Sequence, residues 1–346
     1  MSAEFGIFLP IAKGGWIVSV STPPLDGGWA QNRDAALLAE AHGLDFVMSM
    51  GKWRGFGGAT DHWGCSLESV TLMAALAPIT SRIKLWATLH AILHNPVVAA
   101  KMIATLDQIS GGRAGLNIVA GAYRGEFEQM GAWDPKLDHD SRYDLTEEWT
   151  QAVKRLWREP RVDFAGKYFT LRDCVCEPKP LRMPDLVCAG MSERGFAFSV
   201  READACFIGG RDRAETRAAS DRARTLAAKL NKTIKVYAMC TLVLDESDAA
   251  AEAKARRYQA GLDEGAVQGM LRSYGVAENG INAMVARAQG AFMTDAIVGA
   301  PENCAGKIAD LLQECGLDGL MLIFDDYAQG LPLFGETILP ALRTVS

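Results

Sequence analysis

The chain has 346 residues, 49% of them hydrophobic, with a formal net charge of −6. That length buries a large core and suits one α/β barrel or two ordinary domains. The acidic balance, the lack of a dense basic run and the short, interrupted apolar stretches exclude an obvious nucleic-acid-binding face or bilayer span.

Glu4 to Pro10 (EFGIFLP) reads as a compact strand ended by Pro10, followed by a long polar-aromatic loop with Gly14, Gly15, Pro23 and Pro24. Asn32 to His42 is expected as a helix with Leu37 and Leu38 inward, closed near Gly43. A second strand, Phe46 to Met50, opens a glycine-rich loop running to Trp63, and Leu67 to Ala77 is helical. Ile83 to Thr88 is a third strand, and Pro96 to Gln108 has the apolar spacing of a covering helix. Leu116 to Val119 is a fourth, short and buried strand. Gly121 and Gly125 permit a tight loop beyond it, and an amphipathic helix starts around Ser141 and ends before Pro160.

Val162 to Val175 alternates aromatic and polar residues around Gly166, as a short hairpin would. Leu186 to Ala189, Ala205 to Gly209 and Lys235 to Leu244 are the fifth to seventh strands, with helices over Gly195 to Glu202 and Glu215 to Leu230. The Ala-, Glu-, Arg- and Gly-rich stretch 248–291 is expected as a helical insertion, while Met293 to Val298 carries no decisive pattern. A helix over Pro301 to Glu314, an eighth strand over Leu320 to Phe324 and a short helix around Ile338 to Leu342 finish the chain. Eight strands alternating with helices, with no low-complexity linker, predict a single α/β domain over 1–346, a (β/α)₈ TIM barrel.

The eight cysteines include no CxxC pair and no histidine at zinc-finger spacing, so reduced, mostly buried thiols are expected. No basic leader precedes a long apolar segment, and a cytoplasmic location follows as an expectation.

A barrel brings the carboxyl ends of its strands to one rim, where sites form. The second strand end carries Ser49, Lys52 and Arg54, the third Thr88, His90 and His94, the fourth Asn117 and Glu126, and the fifth Ser192. Arg142 and Tyr143 follow at the start of the next helix. His90 and His94 straddle a strand-to-loop turn, and no third ligand stands at a recognised spacing, so no metal site is expected. The chain lacks GxGxxG after its first strand, GxxxxGK[ST] anywhere, and a G-x-S-x-G elbow. GGRDR at Gly209 to Arg213 is a weak phosphate signal.

The stretches FVMSMGKWRGFGG, LESVTLMAALAPITSRI, LDQISGGRAGLNIVAGAYRGEFEQMG, SRYDLTEEWTQAVKRLW and VCAGMSERG, with IFDDYAQGLPLFGE near the C-terminus, resemble the bacterial-luciferase-like flavin monooxygenases. Within them the similarity is greatest to the pyrimidine monooxygenases that open the uracil ring. The resemblance implies a barrel that takes reduced FMN (FMNH2) from a separate NAD(P)H:flavin reductase, uses O2, and works as a homo-oligomer. It implies flavin contacts at Gly51, Lys52, Asn117, Glu126, Arg142, Tyr143 and Ser192, and an oxygen pocket at Met48, Thr88 and Asn117. Met48 stands where the family has leucine; His90, His94, Ala122 and Tyr123 depart from the uracil enzymes and are expected to shape the substrate pocket. A uracil-like or other N-heterocyclic substrate is the first expectation, with amide-bond or ring cleavage and His90 or Asn117 donating to the developing charge. A deazaflavin-dependent oxidoreductase and a non-catalytic flavin-binding protein are the alternatives.

Overall fold

Short apolar strands, most of them followed by a chain reversal and a helix, build the computed structural model, which describes residues 3–121, 123–210, 212–274 and 283–344. The strands are β1 (Glu4–Phe8), β2 (Phe46–Met48), β3 (Lys84–His90), β4 (Ala114–Val119), β5 (Val162–Ala165), β6 (Thr170–Cys174), β7 (Asp185–Cys188), β8 (Ala205–Ile208), β9 (Lys235–Leu244), β10 (Asp295–Gly299) and β11 (Gly319–Phe324). Parallel pairing runs β11-β1-β2-β3-β4-β7-β8, and β9 joins β8 to β11, closing eight strands into the expected barrel. β5 and β6 form a separate antiparallel hairpin, as their alternation suggested.

β9 is longer than its neighbours, and its extra length has a use. Lys235 to Ala238 pair with β8, whereas Cys240 to Leu244 pair with β10 along the same edge, opposite β11. The segment without a decisive pattern is therefore a strand: β10 continues the edge that β8 leaves.

The helices are α1 (Trp29–Ala41), α2 (Ser69–Leu76), α3 (Pro96–Ser110), α4 (Arg124–Glu128), α5 (His139–Arg158), α6 (Glu193–Glu202), α7 (Arg213–Lys229), α8 (Asp248–Ala260), α9 (Glu264–Tyr274), α10 (Ala283–Ala288), α11 (Pro301–Cys315), α12 (Tyr327–Leu333) and α13 (Leu339–Thr344). Their ends follow from local chemistry. Asn95 accepts from the Val97 N–H at 2.9 Å to start α3, Pro96 sits in its first turn, and Gly111 ends it at φ 69°. Asp138 accepts from the Ser141 N–H at 2.8 Å to start α5. α8, α9 and α10 lie in the stretch expected as helical, part of which (275–282) is outside the described residues. α1 turns Asn32, Ala35, Ala36 and Ala39 inward and leaves Leu37 exposed, contrary to the sequence reading. Small residues there let the helix approach the sheet. α12, over which no helix is expected from the sequence, forms with Gly330 and Pro332 inside it.

Inside the barrel, every second residue of each strand points to the axis. Its middle layer is aromatic: Phe46 stacks on Trp86 at 4.0 Å, and Tyr237 lies 5.7 Å from Phe46 and 5.5 Å from Phe207 between ring centroids. Glycines make the space. A Cβ on Gly6 would lie 2.2 Å from the Phe46 ring, one on Gly115 2.2 Å from Trp86, and one on Gly319 2.9 Å from Tyr237. Below this layer, Lys84 pairs with Asp185 at 2.8 Å and Lys235 with Glu4 at 2.6 Å.

The packing predicts that Gly115→Ala, although its backbone is ordinary strand, overpacks this layer and costs about 1–3 kcal/mol. Urea denaturation checks it; an unchanged midpoint would show that Trp86 moves aside freely.

Candidate active site

Two residues further along the same alternation, the strands deliver their site residues. Phe8, Met48, Thr88, Asn117, Met239 and Met321 stand above the aromatic layer and, together with Phe207 of that layer, line a cavity of about 260 Å³. Its upper wall comes from the loops and late helices: Lys52, Trp63, Tyr123, Glu126 and Tyr274. That is an apolar hollow with a few convergent polar groups, the usual form of a small-molecule site.

A hydrogen-bonded chain fixes the polar floor. The Thr88 hydroxyl donates to the Ser49 carbonyl and accepts from Asn117 Nδ2 at 3.1 Å. The Thr88 N–H donates to Ser69 Oγ at 2.7 Å, and Ser69 Oγ lies 2.6 Å from Ser49 Oγ. Three strands and α2 are thereby tied at one point. Asn117 Oδ1 is left buried and without a protein partner in the cavity wall, an acceptor waiting for a donor.

Lys52 and Glu126 form a buried ion pair at 3.3 Å, with side chains only 4% and 3% exposed. Glu126 is held by the Trp53 N–H as well. The ammonium lies 4.4 Å from the Tyr123 ring centroid, 4.7 Å from Phe56 and 5.6 Å from Trp63, so aromatic faces complete its surroundings. Burial lowers the Lys52 pKa, and Glu126 opposes that shift.

His90 is buried, edge-on to Phe127 at 5.2 Å, and its pKa falls to about 3 through burial first, then the charges of His94 and Lys52. It is a neutral imidazole at working pH. Gly51 is what admits it: a Cβ there would lie 2.9 Å from His90 Cε1. His94 does not line the cavity; its Nδ1 lies 3.0 Å from the His90 carbonyl, and its own carbonyl accepts from Trp149 Nε1 at 2.7 Å. Its expected part in shaping the pocket has no contact to support it.

Arg142, Tyr143 and Ser192 are not in the cavity wall either, and they gather in a second group beside it. Arg142 donates to the Gly121 and Leu137 carbonyls, both at 3.0 Å, and lies over Trp133 at 4.8 Å. Ser192 caps α6, accepting from the Gly195 N–H at 3.1 Å. Burial pushes the Tyr143 pKa up to about 12, against a hydrogen bond to Ser192. Gly195 allows this approach, since a Cβ there would be 2.3 Å from the Tyr143 hydroxyl oxygen. The two groups are joined through the chain, Ala189 of the wall preceding Ser192 and Val119 preceding Gly121.

Sequence reasoning named Met48 and Tyr123 of the wall but not Met239, Met321 or Tyr274. Met239 and Met321 sit in strands apolar on both faces, where period alone does not tell inside from outside, and Tyr274 belongs to the late helices, which carried no site signal. Ala122 lies outside the described residues. Among the described residues, no group of three His, Cys, Asp or Glu side chains is placed to hold a metal, and no helix is long and apolar enough to cross a membrane.

A family model described as luciferase-like monooxygenase matches residues 3–319. Pyrimidine monooxygenase RutA of Variovorax paradoxus is 37% identical over 349 residues, covering 98% of this chain and 94% of the relative. A protein of the same name from Methylorubrum extorquens is 38% identical over 351 residues, covering 99% and 93%. Among solved structures, riboflavin lyase (RcaE) with modified FMN and riboflavin superposes with a TM-score of 0.87 over 100% of this chain and 92% of that one, at 22% identity. That likeness is one of fold.

The buried ion pair predicts that Lys52→Met, which strands the Glu126 carboxylate, destabilises by about 3–5 kcal/mol, whereas Lys52→Met with Glu126→Gln recovers most of the loss. Chemical denaturation of the two variants checks it, and equal losses would refute the coupling. Stability also depends on pH through two buried histidines, His90 (about 3) and His62 (about 4, lowered by burial). Both are neutral when folded and bind a proton at the ordinary pKa when unfolded. Stability is therefore full above pH ~6.5 and falls on acidification toward those values, by up to about 2 kcal/mol for each at pH ~5. Denaturation midpoints at the two pH values, with His62→Phe and His90→Phe compared, should show the slope shrink in each variant.

Proposed function

The chain belongs to the luciferase-like monooxygenase family and is an FMN-dependent monooxygenase; from that premise we propose a two-component enzyme that opens a uracil-like N-heterocyclic amide. In this reading a separate NAD(P)H:flavin reductase delivers FMNH2. The observation that carries it is the buried, unpartnered Oδ1 of Asn117 in a wall of methionines and aromatics. Such an acceptor fits the N–H edge of a flavin ring, and the apolar walls fit its faces.

Asn117, Gly51, Lys52 and Glu126 would hold the ring end. Arg142, Tyr143 and Ser192 would hold the phosphate and ribityl hydroxyls by charged and neutral hydrogen bonds. When bound, reduced FMN supplies the electrons that activate dioxygen. Met48, Thr88 and Asn117 would border the oxygen, Met48 as an apolar wall.

The roles of the polar groups follow from their states. Thr88 both donates and accepts within the protein, so its part is to orient Asn117. Oxygen attack on a ring carbonyl builds negative charge on that oxygen, and a donor preset in a dry site stabilises it. The Lys52 ammonium is such a group, and His90 donates as a neutral imidazole. Collapse of the tetrahedral carbon would then break its bond to the ring nitrogen, which takes up a proton as it leaves, while the newly added oxygen stays on the carbonyl carbon. The substrate class draws its support from the 37% and 38% identity to pyrimidine monooxygenases over nearly the whole chain.

Isotopically labelled dioxygen, FMN, NADH and a flavin reductase, offered with uracil and related heterocycles, test the proposal. Label is expected in a ring-opened product only when the reductase is present. Absence of label from every heterocyclic amide would refute the substrate class, and rapid NADH oxidation without reductase would refute the two-component reading. Asn117→Leu keeps the bulk and deletes the acceptor; it should cut product formed per reduced FMN about tenfold or more with little change in melting temperature. Thr88→Val should do the same more mildly. A loss that only tracks unfolded protein would make Asn117 a structural residue.

A further inference from the structure

A second hollow, of about 580 Å³, opens on the outer side of Tyr123, which lines both it and the inner cavity. Three arginines line it: Arg54 from the loop after β2, Arg124 from α4 and Arg272 from α9. Arg124 pairs with Glu128 at 2.6 Å. Arg54 has one long contact, 3.4 Å to the Gly125 carbonyl, and among the described residues neither Arg54 nor Arg272 meets a carboxylate. Among the described residues that line the hollow, three guanidiniums against one carboxylate leave an excess of two positive charges, on a chain whose net charge is −6.

The local fold holds these charges together. A Cβ on Gly269 would lie 1.9 Å from the Phe56 carbonyl oxygen, so α9 rests directly on the loop that carries Arg54. Arg272 follows Gly269 by three residues and therefore emerges on the same side of α9. Gly55, Gly57 and Gly125 line the hollow without side chains to fill it. Between the two hollows stands an aromatic partition, Tyr123 stacked on Phe56 at 5.8 Å and lying 6.1 Å from Tyr274. The Lys52 ammonium lies 4.4 Å from the Tyr123 ring.

We propose that this arginine hollow is a subsite for an oxyanionic group of the substrate, a carboxylate or phosphate carried on a sugar-length linker past the edge of Tyr123 from a heterocycle whose ring occupies the inner cavity. The proposal rests on the reading of that cavity as the heterocycle site. Guanidinium forks match carboxylate and phosphate oxygens in pairs. The partition separates ring from charge, so the anionic group has to be carried on a linker and not bonded directly to the ring. The preferred substrate is then an anionic heterocycle, selected over its neutral parent by Arg54 and Arg272.

Binding in the absence of turnover tests this separately from the oxygenation. Uridine is compared with uridine 5′-carboxylic acid in one pair and with uridine 5′-monophosphate in the other, by calorimetry at low ionic strength, where exposed charges are least screened. In the parent protein the anionic member of at least one pair should bind about tenfold more tightly, and which pair does so tells carboxylate from phosphate. Arg54→Gln with Arg272→Gln should reduce that gain to about twofold or less while reduced-FMN affinity stays within about twofold. No gain in either pair, including no binding at all, overturns the subsite. A gain that survives the double substitution overturns it, and so does a parallel loss of reduced-FMN affinity, which would make the hollow part of the cofactor site. Failure of the heterocycle reading shows elsewhere, as absence of labelled product from the neutral rings.

Discussion

Steric exclusion at the centre of the barrel governs what lies above it. Phe46, Trp86, Phe207 and Tyr237 contribute large rings to the middle layer, and Gly6, Gly115 and Gly319 leave the room that those rings fill. Side chains on all these positions would not fit. The layer forms a floor, and because strand side chains alternate, the next inward residues, Phe8, Met48, Thr88 and Asn117, end up as the base of a cavity.

On that floor the polar groups are costly and consequently well tied. Thr88, Ser49, Ser69 and Asn117 satisfy one another in a connected chain that ends at a single unpartnered acceptor. Lys52 and Glu126 are charged and dry, a state that survives only while each has the other and the surrounding N–H and ring faces. His90 takes the opposite course and stays neutral. The cavity therefore holds one paired cation, one neutral imidazole and one open amide oxygen, each with a different capacity toward a bound ring.

Outside Tyr123 the balance changes. The arginine hollow is exposed and polar, and its charges are only partly matched by protein. The two hollows share a wall yet differ in solvation, which separates ring recognition from recognition of charge. Dry contacts suit the first, and guanidiniums in water suit the second.

Periodicity and punctuation in the sequence alone determined the barrel class: eight short apolar strands, the covering helix after Pro96 and the amphipathic helix starting around Ser141 are local facts that the structure repeats. The same local text named Gly51, Lys52, Thr88, His90, Asn117 and Glu126, because strand-end polar residues and the quoted motifs are contiguous, and they do line one cavity. Only the tertiary structure decided that Met239, Met321 and Tyr274 join them, that His94 turns away, that Leu37 faces out, and that 295–299 is a strand on β9. It alone decided that Arg54, Arg124 and Arg272 line one hollow. Each of those outcomes depends on which of two similar faces packs against a distant segment, and that choice is made by closure of the barrel and the space its glycines leave. No window of neighbouring residues contains it.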